Sequence, residues 1–204
     1  MKSPGIRRLS EARAFVFDLD GTLVLADDPN VGGDMQTLPG ATDVLRRIRQ
    51  SGRRFACFTN GSGQVPAAQA SRLRAVGLEV MDEELLTPAV VAARYIRAHY
   101  AGASVVAFGN EGLLLPLGEA GVRLVEVDEA ERAGVVVIGA DPEFTYPKLV
   151  AACRAVWAGA ALLVTSNAPW FASRRRSQAI RRCAWHRDRV PCPGRGARSL
   201  HPTA

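Results

Sequence analysis

Apolar residues along this chain follow two alternating rhythms. Short runs rich in Phe, Val, Ile and Leu are separated by stretches in which apolar positions recur every three or four residues. This alternation predicts an α/β fold with parallel strands, because parallel neighbours need a crossover and a helix supplies it. Ala14-Phe15-Val16-Phe17 predicts a first strand that ends at Asp18. After the punctuation of Pro39-Gly40, residues 41–51 predict a helix with Val44, Leu45 and Ile48 on its apolar face. Arg54-Phe55-Ala56-Cys57-Phe58 predicts a second strand that runs into Thr59-Asn60-Gly61. A helix over 66–76 follows, with Gly77 as its stop.

From about residue 80 a second series of units begins. Thr87-Pro88 reads as an N-cap with proline in the first turn, opening a helix over 88–99. Strands are predicted at 104–108, 122–127 and 134–139, with a helix between the first two. A helix over 146–158 and a strand over Ala161–Thr165 complete the pattern. Beyond Ser173 neither rhythm continues. Ile180, Trp185, Val190 and Leu200 stand isolated among Arg, Pro, Gly, His and Cys, so a poorly ordered segment is expected there.

Composition is that of a globular protein, with 204 residues of which 48% are apolar and 23% charged. That excludes a collagen-like repeat, wholesale disorder and a disulfide-stapled miniprotein. The net charge of +6 and a pI near 9.7 would by themselves suggest a nucleic-acid partner. Their distribution changes the picture: residues 1–173 hold 17 Lys+Arg against 19 Asp+Glu, whereas residues 174–204 hold nine Arg and one acid, Asp188. A slightly acidic patterned region is thus followed by a strongly basic segment. The four cysteines (Cys57, Cys153, Cys183, Cys192) form no C-x-x-C pair, and Cys57 and Cys153 read as small buried thiols. No apolar run reaches the length of a membrane span, and the first residues lack a signal-peptide core, so a cytoplasmic protein without a membrane partner is expected.

The chemistry is concentrated in Phe15-Val16-Phe17-Asp18-Leu19-Asp20-Gly21-Thr22. An apolar strand delivers two carboxylates, two positions apart, beyond its carboxyl end, which is where open parallel sheets bind ligands. One carboxylate could attack phosphorus while the other handles the leaving-group proton, and a Mg²⁺ would relieve their repulsion. An EF-hand reading fails, because Gly21 is at position 4 of the loop and Pro29 at position 12. Gly61-Ser62-Gly63 follows a strand but lacks the third glycine and the lysine of nucleotide-binding loops. A strand-end turn with incidental acids remains the bland alternative.

At these residues the chain resembles the haloacid dehalogenase superfamily, whose first motif is an apolar strand followed by DxDGT. Phe55 to Asn60 is similar to its second motif, an apolar strand ending in Ser or Thr. The resemblance implies that Asp18 is the nucleophile and a Mg²⁺ ligand. Asp20 would be the general acid/base and would bind the metal through its main-chain carbonyl. Thr59 would hydrogen-bond the phosphoryl oxygens, with Asn60 and the Gly61 amide nearby. Gly139-Ala140-Asp141-Pro142-Glu143-Phe144-Thr145-Tyr146, followed by Lys148-Leu149, is similar to a stretch of the class IIA members, which insert a large α/β cap after the second motif. Pro39-Gly40-Ala41, Leu86-Thr87 and Thr165-Ser166-Asn167 also look like landmarks of that class. The implied fold is an incomplete Rossmannoid core with an inserted α/β cap: a half-core over 1–79, a cap over 80–173 and an Arg-rich tail over 174–204. The implied activity is Mg²⁺-dependent hydrolysis of a small phosphorylated metabolite. Members of the class act on nucleotides, phosphoglycolate, pyridoxal phosphate and nitrophenyl phosphate. Asp141 would lie in the cap's substrate loop, although a turn before Pro142 accounts for it equally well.

Two further motifs of the resemblance, a lysine in a G-K-P setting and a G-D-x-x-x-T-D stretch, have no counterpart here. The chain has two lysines, Lys2 and Lys148, and its last acid after Glu143 is Asp188 in Arg187-Asp188-Arg189. Arginine outnumbers lysine 24 to 2, as GC-rich codons produce, and such DNA read out of frame yields runs of Arg, Pro, Gly and Ala. A truncation or change of frame near codon 174 is therefore expected. Translating the downstream DNA in its other two frames checks it, since absence of both motifs from both frames excludes the idea. The strand Phe15–Phe17 would then form an edge with an uncovered apolar face. Two other accounts of the basic segment remain open. It could be an arm that contacts nucleic acid, or Cys183, His186, Cys192 and His201 could bind a metal, although their spacing matches no standard zinc module.

Overall fold

The computed structural model describes residues 11–28 and 32–166, together with three two-residue strands at 170–171, 178–179 and 198–199. The zinc-like Cys and His positions and Asp188 lie outside the described residues, as does nearly all of the basic segment. Two of the short strands, Gln178–Ala179 and Arg198–Ser199, fall where the pattern predicts no element.

Two separate sheets organise the chain. β1 (Ala14–Asp18), β4 (Arg54–Phe58) and β5 (Leu85–Leu86) form an all-parallel sheet in the order β1-β4-β5. Between its first two strands lie an antiparallel hairpin of β2 (Val24–Asp28) and β3 (Gly32–Thr37) and helix α1 (Ala41–Gln50). α2 (Pro66–Ala75) precedes β5 and ends, as the sequence predicts, just before Gly77, which adopts φ +85°. The first core joins Leu45 and Ile48 of α1, Phe55 and Cys57 of β4, and Leu73, Leu78 and Leu85. Val44, expected on the apolar face of α1, is exposed; the buried positions are Ala41, Leu45 and Ile48. The first sheet also takes in β5, whose Leu85 and Leu86 lie in register with Cys57 and Phe58 of β4.

The second sheet contains β6 (Ser104–Phe108), β7 (Arg123–Leu124), β8 (Val135–Ile138), β9 (Ala161–Val164) and β12 (Arg198–Ser199), in the order β12-β9-β8-β6-β7. β10 (Trp170–Phe171) and β11 (Gln178–Ala179) pair antiparallel by themselves. All four residues of β8 are buried, because both faces of this sheet are covered. Val135 and Val137 pack with α3 (Pro88–His99) and α4 (Glu111–Glu119). Val136 and Ile138 face the other way, onto Ala152 and Ala155 of α5 (Tyr146–Trp157) and the 3-10 segment Val127–Arg132. The predicted strand over 122–127 is shorter than expected: the Val125 N–H still donates to the Val105 carbonyl of β6 (2.9 Å), but Val127 already opens the 3-10 segment, and both valines pack against the core that holds Val136 and Ile138.

β1 contrasts with β8. It is an edge strand among the described residues, Phe15 and Phe17 are only partly buried against the first core, and Val16 is 72% exposed. The uncovered face expected from the sequence is present.

Candidate active site

The site forms where β1 and β4 end side by side. Asp18 is the last residue of β1, in register with Phe58 of β4. The Leu19 N–H continues the pairing by donating to the Phe58 carbonyl (3.1 Å). The side chain of Leu19 is buried, which fixes the backbone between the two acids. A tight turn follows. The N–H groups of Thr22, Leu23 and Val24 all converge on the Leu19 carbonyl at 3.0–3.2 Å, and Gly21 supplies the left-handed residue at φ +86°. An L side chain would be strained at that φ, so the glycine of Asp-Gly is required by the backbone itself.

The carboxylates of Asp18 and Asp20 have different surroundings. Asp18 reaches solvent and accepts a hydrogen bond from the Thr22 hydroxyl at 3.3 Å. Desolvation by its neighbours raises its pKa above the usual carboxylate value, against the lowering influence of the Thr22 hydroxyl and the Leu19 amide. Asp20 is half-buried, and its Oδ2 accepts from the Thr59 hydroxyl at 3.1 Å. Thr59 is 0% exposed, and its own N–H donates to the Leu86 carbonyl (3.3 Å), which anchors the end of β4 on β5. Its hydroxyl oxygen accepts from the Gly61 N–H at 2.9 Å. Asp20, Thr59 and Gly61 are therefore one hydrogen-bonded set, and the half-buried Asn60 lies within that turn.

Asp141 is held by its own loop. Its side chain is 5% exposed in the loop after β8; Oδ2 pairs with the Lys148 ammonium at 2.8 Å and Oδ1 accepts from the Glu143 N–H at 3.0 Å. Its main-chain carbonyl accepts from the Phe144 N–H (3.2 Å). The carboxylate braces its own loop. Cys57 is fully buried in β4, as its sequence setting suggests, and burial, with Glu84 adding to it, pushes its thiol up to about 12, so it is a protonated packing residue. Cys153 is only half-buried on α5, more open than its helical pattern suggests.

Among the described residues, no three His, Cys, Asp or Glu side chains gather as a metal cage. The site's own donors are two aspartates, an all-oxygen set without nitrogen or sulfur. That suits Mg²⁺, which is commonly held by one or two carboxylates together with water and substrate phosphate, and not the metals that prefer imidazole or thiolate.

The sequence reading passes over a set of residues beside this cluster. Ser62 Oγ accepts from the Ala140 N–H (3.0 Å) and from the Thr165 hydroxyl (3.2 Å), and Asn110 Nδ2 donates to the Gly63 carbonyl (2.7 Å). The small residues of Gly61-Ser62-Gly63 were the available signal, but they draw attention only as an imperfect nucleotide loop.

Comparison with known proteins agrees with this architecture. A family profile described as haloacid dehalogenase-like hydrolase matches residues 15–123. An acid sugar phosphatase of Staphylococcus aureus (strain USA300) is 31% identical over 158 residues, covering 78% of this chain. The chain spans 57% of that relative's length. A hypothetical protein from Pyrococcus horikoshii OT3 superposes with a TM-score of 0.71 at 24% identity, covering 82% of this chain and 63% of the other. A p-nitrophenyl phosphatase from Archaeoglobus fulgidus gives 0.68 at 24% identity, over 82% and 60% respectively. At that identity the two structures speak for the fold.

Proposed function

Because the chain belongs to the haloacid dehalogenase-like hydrolases, we propose that its site performs Mg²⁺-dependent hydrolysis of a small phosphate monoester in the cytoplasm, through an aspartyl-phosphate on Asp18. The observation that carries this reading is the 3.1 Å hydrogen bond from Thr59 to Asp20. It joins two strand ends that lie 39 residues apart in sequence, at the same end of the sheet as the solvent-reaching Asp18. The naming of one relative as an acid sugar phosphatase supports the same substrate class.

An oxygen of Asp18 attacks phosphorus, and the bond to the leaving oxygen breaks as Asp20 supplies that oxygen's proton. Asp20 then takes a proton from water, which attacks the acyl phosphate, releases inorganic phosphate and restores Asp18. Thr59 keeps the Asp20 carboxyl aimed at the site, and the Gly61 N–H fixes the Thr59 hydroxyl in turn. Mg²⁺, held by the Asp18 carboxylate and the Asp20 main-chain carbonyl, would offset the charge of the phosphoryl group. Asp141, in the loop proposed to meet the substrate, is held by Lys148 and the Glu143 N–H and braces that loop.

Turnover is proposed to be slow. Lys148, the one lysine among the described residues, is already paired with Asp141 in the second unit. Each missing electrostatic stabiliser of such a transition state typically costs about 10²–10³ in rate. The nine arginines of residues 174–204 favour a second reading, a binding protein that contacts nucleic acid through that segment. Hydrolysis of p-nitrophenyl phosphate, with and without Mg²⁺, by the chain and by Asp18→Asn decides between them. Mg²⁺-dependent turnover lost in Asp18→Asn is the expected result. No turnover in either, with salt-sensitive DNA binding abolished by deletion of 174–204, would establish the second reading instead.

A further inference from the structure

Three strand ends of the second sheet converge on two peptide units that follow the Thr59–Gly61 turn. From β8, the Ala140 N–H donates to Ser62 Oγ (3.0 Å); from β9, the Thr165 hydroxyl donates to the same oxygen (3.2 Å). From β6, Asn110 Nδ2 donates to the Gly63 carbonyl (2.7 Å), while the Asn110 N–H donates to the Ala140 carbonyl (3.1 Å). Ser62, Gly63, Asn110 and Ala140 thus close a ring of hydrogen bonds between the two units. Ser62 is 3% exposed and Thr165 4%, so water cannot take over these bonds cheaply. The approach is backbone-close: a Cβ on Gly112 would lie 2.5 Å from the Gln64 nitrogen and 2.6 Å from the Gly63 carbonyl carbon and the Ser62 oxygen.

We propose that Ser62 is a positioning residue, whose buried hydroxyl sets the register between the Asp18–Asp20–Thr59 cluster and the Gly139–Asp141 segment of the second unit. This rests on the phosphatase reading only for its kinetic consequence. Ser62 is three residues after Thr59, and the Gly61 N–H that orients the Thr59 hydroxyl is carried by the preceding residue. A shift at Ser62 therefore moves the second unit's loop relative to the phosphate cradle while leaving the cradle's own bonds intact. Ala140, the residue that Ser62 holds, is adjacent to the Asp141 brace, so the loop it places is itself rigid. A group of substrate that extends past the phosphoryl oxygens meets that loop, whereas free phosphate does not.

The test compares Ser62→Ala and Thr165→Val with Thr165→Ser in the full chain; the serine variant keeps the hydroxyl that the valine loses at nearly constant shape. Inhibition by inorganic phosphate reads the cradle alone, and KM for p-nitrophenyl phosphate reads the cradle and the second unit together. Ser62→Ala and Thr165→Val should raise KM by about tenfold, with kcat within about threefold and the phosphate inhibition constant within about twofold, and Thr165→Ser should restore KM. Equal changes in KM and phosphate inhibition, an unchanged KM, or a serine variant as impaired as the valine one would overturn the proposal. If Ser62→Ala does not fold, Thr165→Val carries the comparison. If the unsubstituted chain neither hydrolyses the ester nor binds phosphate, the phosphatase reading falls and amide hydrogen exchange decides this one. Exchange at Ala140 should then quicken by about tenfold or more in Thr165→Val while Val136 and Val137 keep their protection; unchanged exchange at Ala140 refutes the register.

Discussion

At the scale of single residues, Asp18 is a group held against its own preference. Asp18 is partly desolvated, and its carboxyl titrates above the usual value of 3.8. Folding therefore favours its protonated form. The contribution of Asp18 to stability is fully present below the unfolded-state pKa and is lost as pH rises through the raised folded-state value. Asp18→Asn, which cannot ionise, should accordingly melt higher than the unsubstituted chain at about pH 7 without Mg²⁺, with the gap closing towards about pH 3. Thermal melts at the two pH values check this; a gap that widens on acidification contradicts it. Two acids at a strand end, where nothing in the packing asks for them, are a chemical signal in the sequence alone. Ser62 is as important to the arrangement but carries no such signal, because its partners lie 78 and 103 positions away and one of them is a backbone amide.

Elements were legible where a chemical device marks their ends. α3 has the bounds that Thr87-Pro88 predicts, and the Thr87 hydroxyl accepts the Val90 N–H at 3.4 Å as an N-cap does. The β2–β3 hairpin was not legible: β2 has only Val24-Leu25-Ala26 as an apolar run, with Val24 and Ala26 buried, and β3 is polar or glycine apart from Met35. Strand β5 has only two residues and is defined by its neighbour β4. Within α4, two glycines make opposite predictions. Gly112→Ala would drive a Cβ into backbone atoms of residues 62–64, which cannot rotate away, and should lower stability by at least about 1–3 kcal/mol. Gly118→Ala meets nothing within 4 Å at an ordinary helical position and should raise stability by about 0.5–1 kcal/mol. Urea unfolding of the pair checks both signs in one helix. Equal effects would mean that the close approach of α4 to the 62–64 loop is wrong.

At the scale of the whole molecule, two parallel sheets are covered to different degrees, and their facing strand ends are bound together at Ser62. The second sheet is sandwiched between two cores, whereas β1 offers Val16 to solvent at the edge of the first. Among the described residues β1 is an edge strand, and an apolar edge invites pairing with another chain, so Val16→Lys should leave the melting temperature nearly unchanged and reduce self-association at high concentration. Light scattering across a concentration series measures that, and unaltered association would show the edge to be protected. The alternation of strands and helices made the α/β class legible at this scale. The bonds between the two units were not, since no local pattern specifies which distant strand ends will meet. The central claim is that the edge strand β1 presents a nucleophile. The most direct test is to incubate the chain with p-nitrophenyl phosphate and Mg²⁺, quench, reduce with borohydride and locate the modified residue by peptide mass spectrometry. Reduction of an acyl phosphate leaves homoserine, and this account predicts it at position 18 alone, only when ester and Mg²⁺ are both supplied. Homoserine at another position, or its absence while phosphate is released, would contradict it.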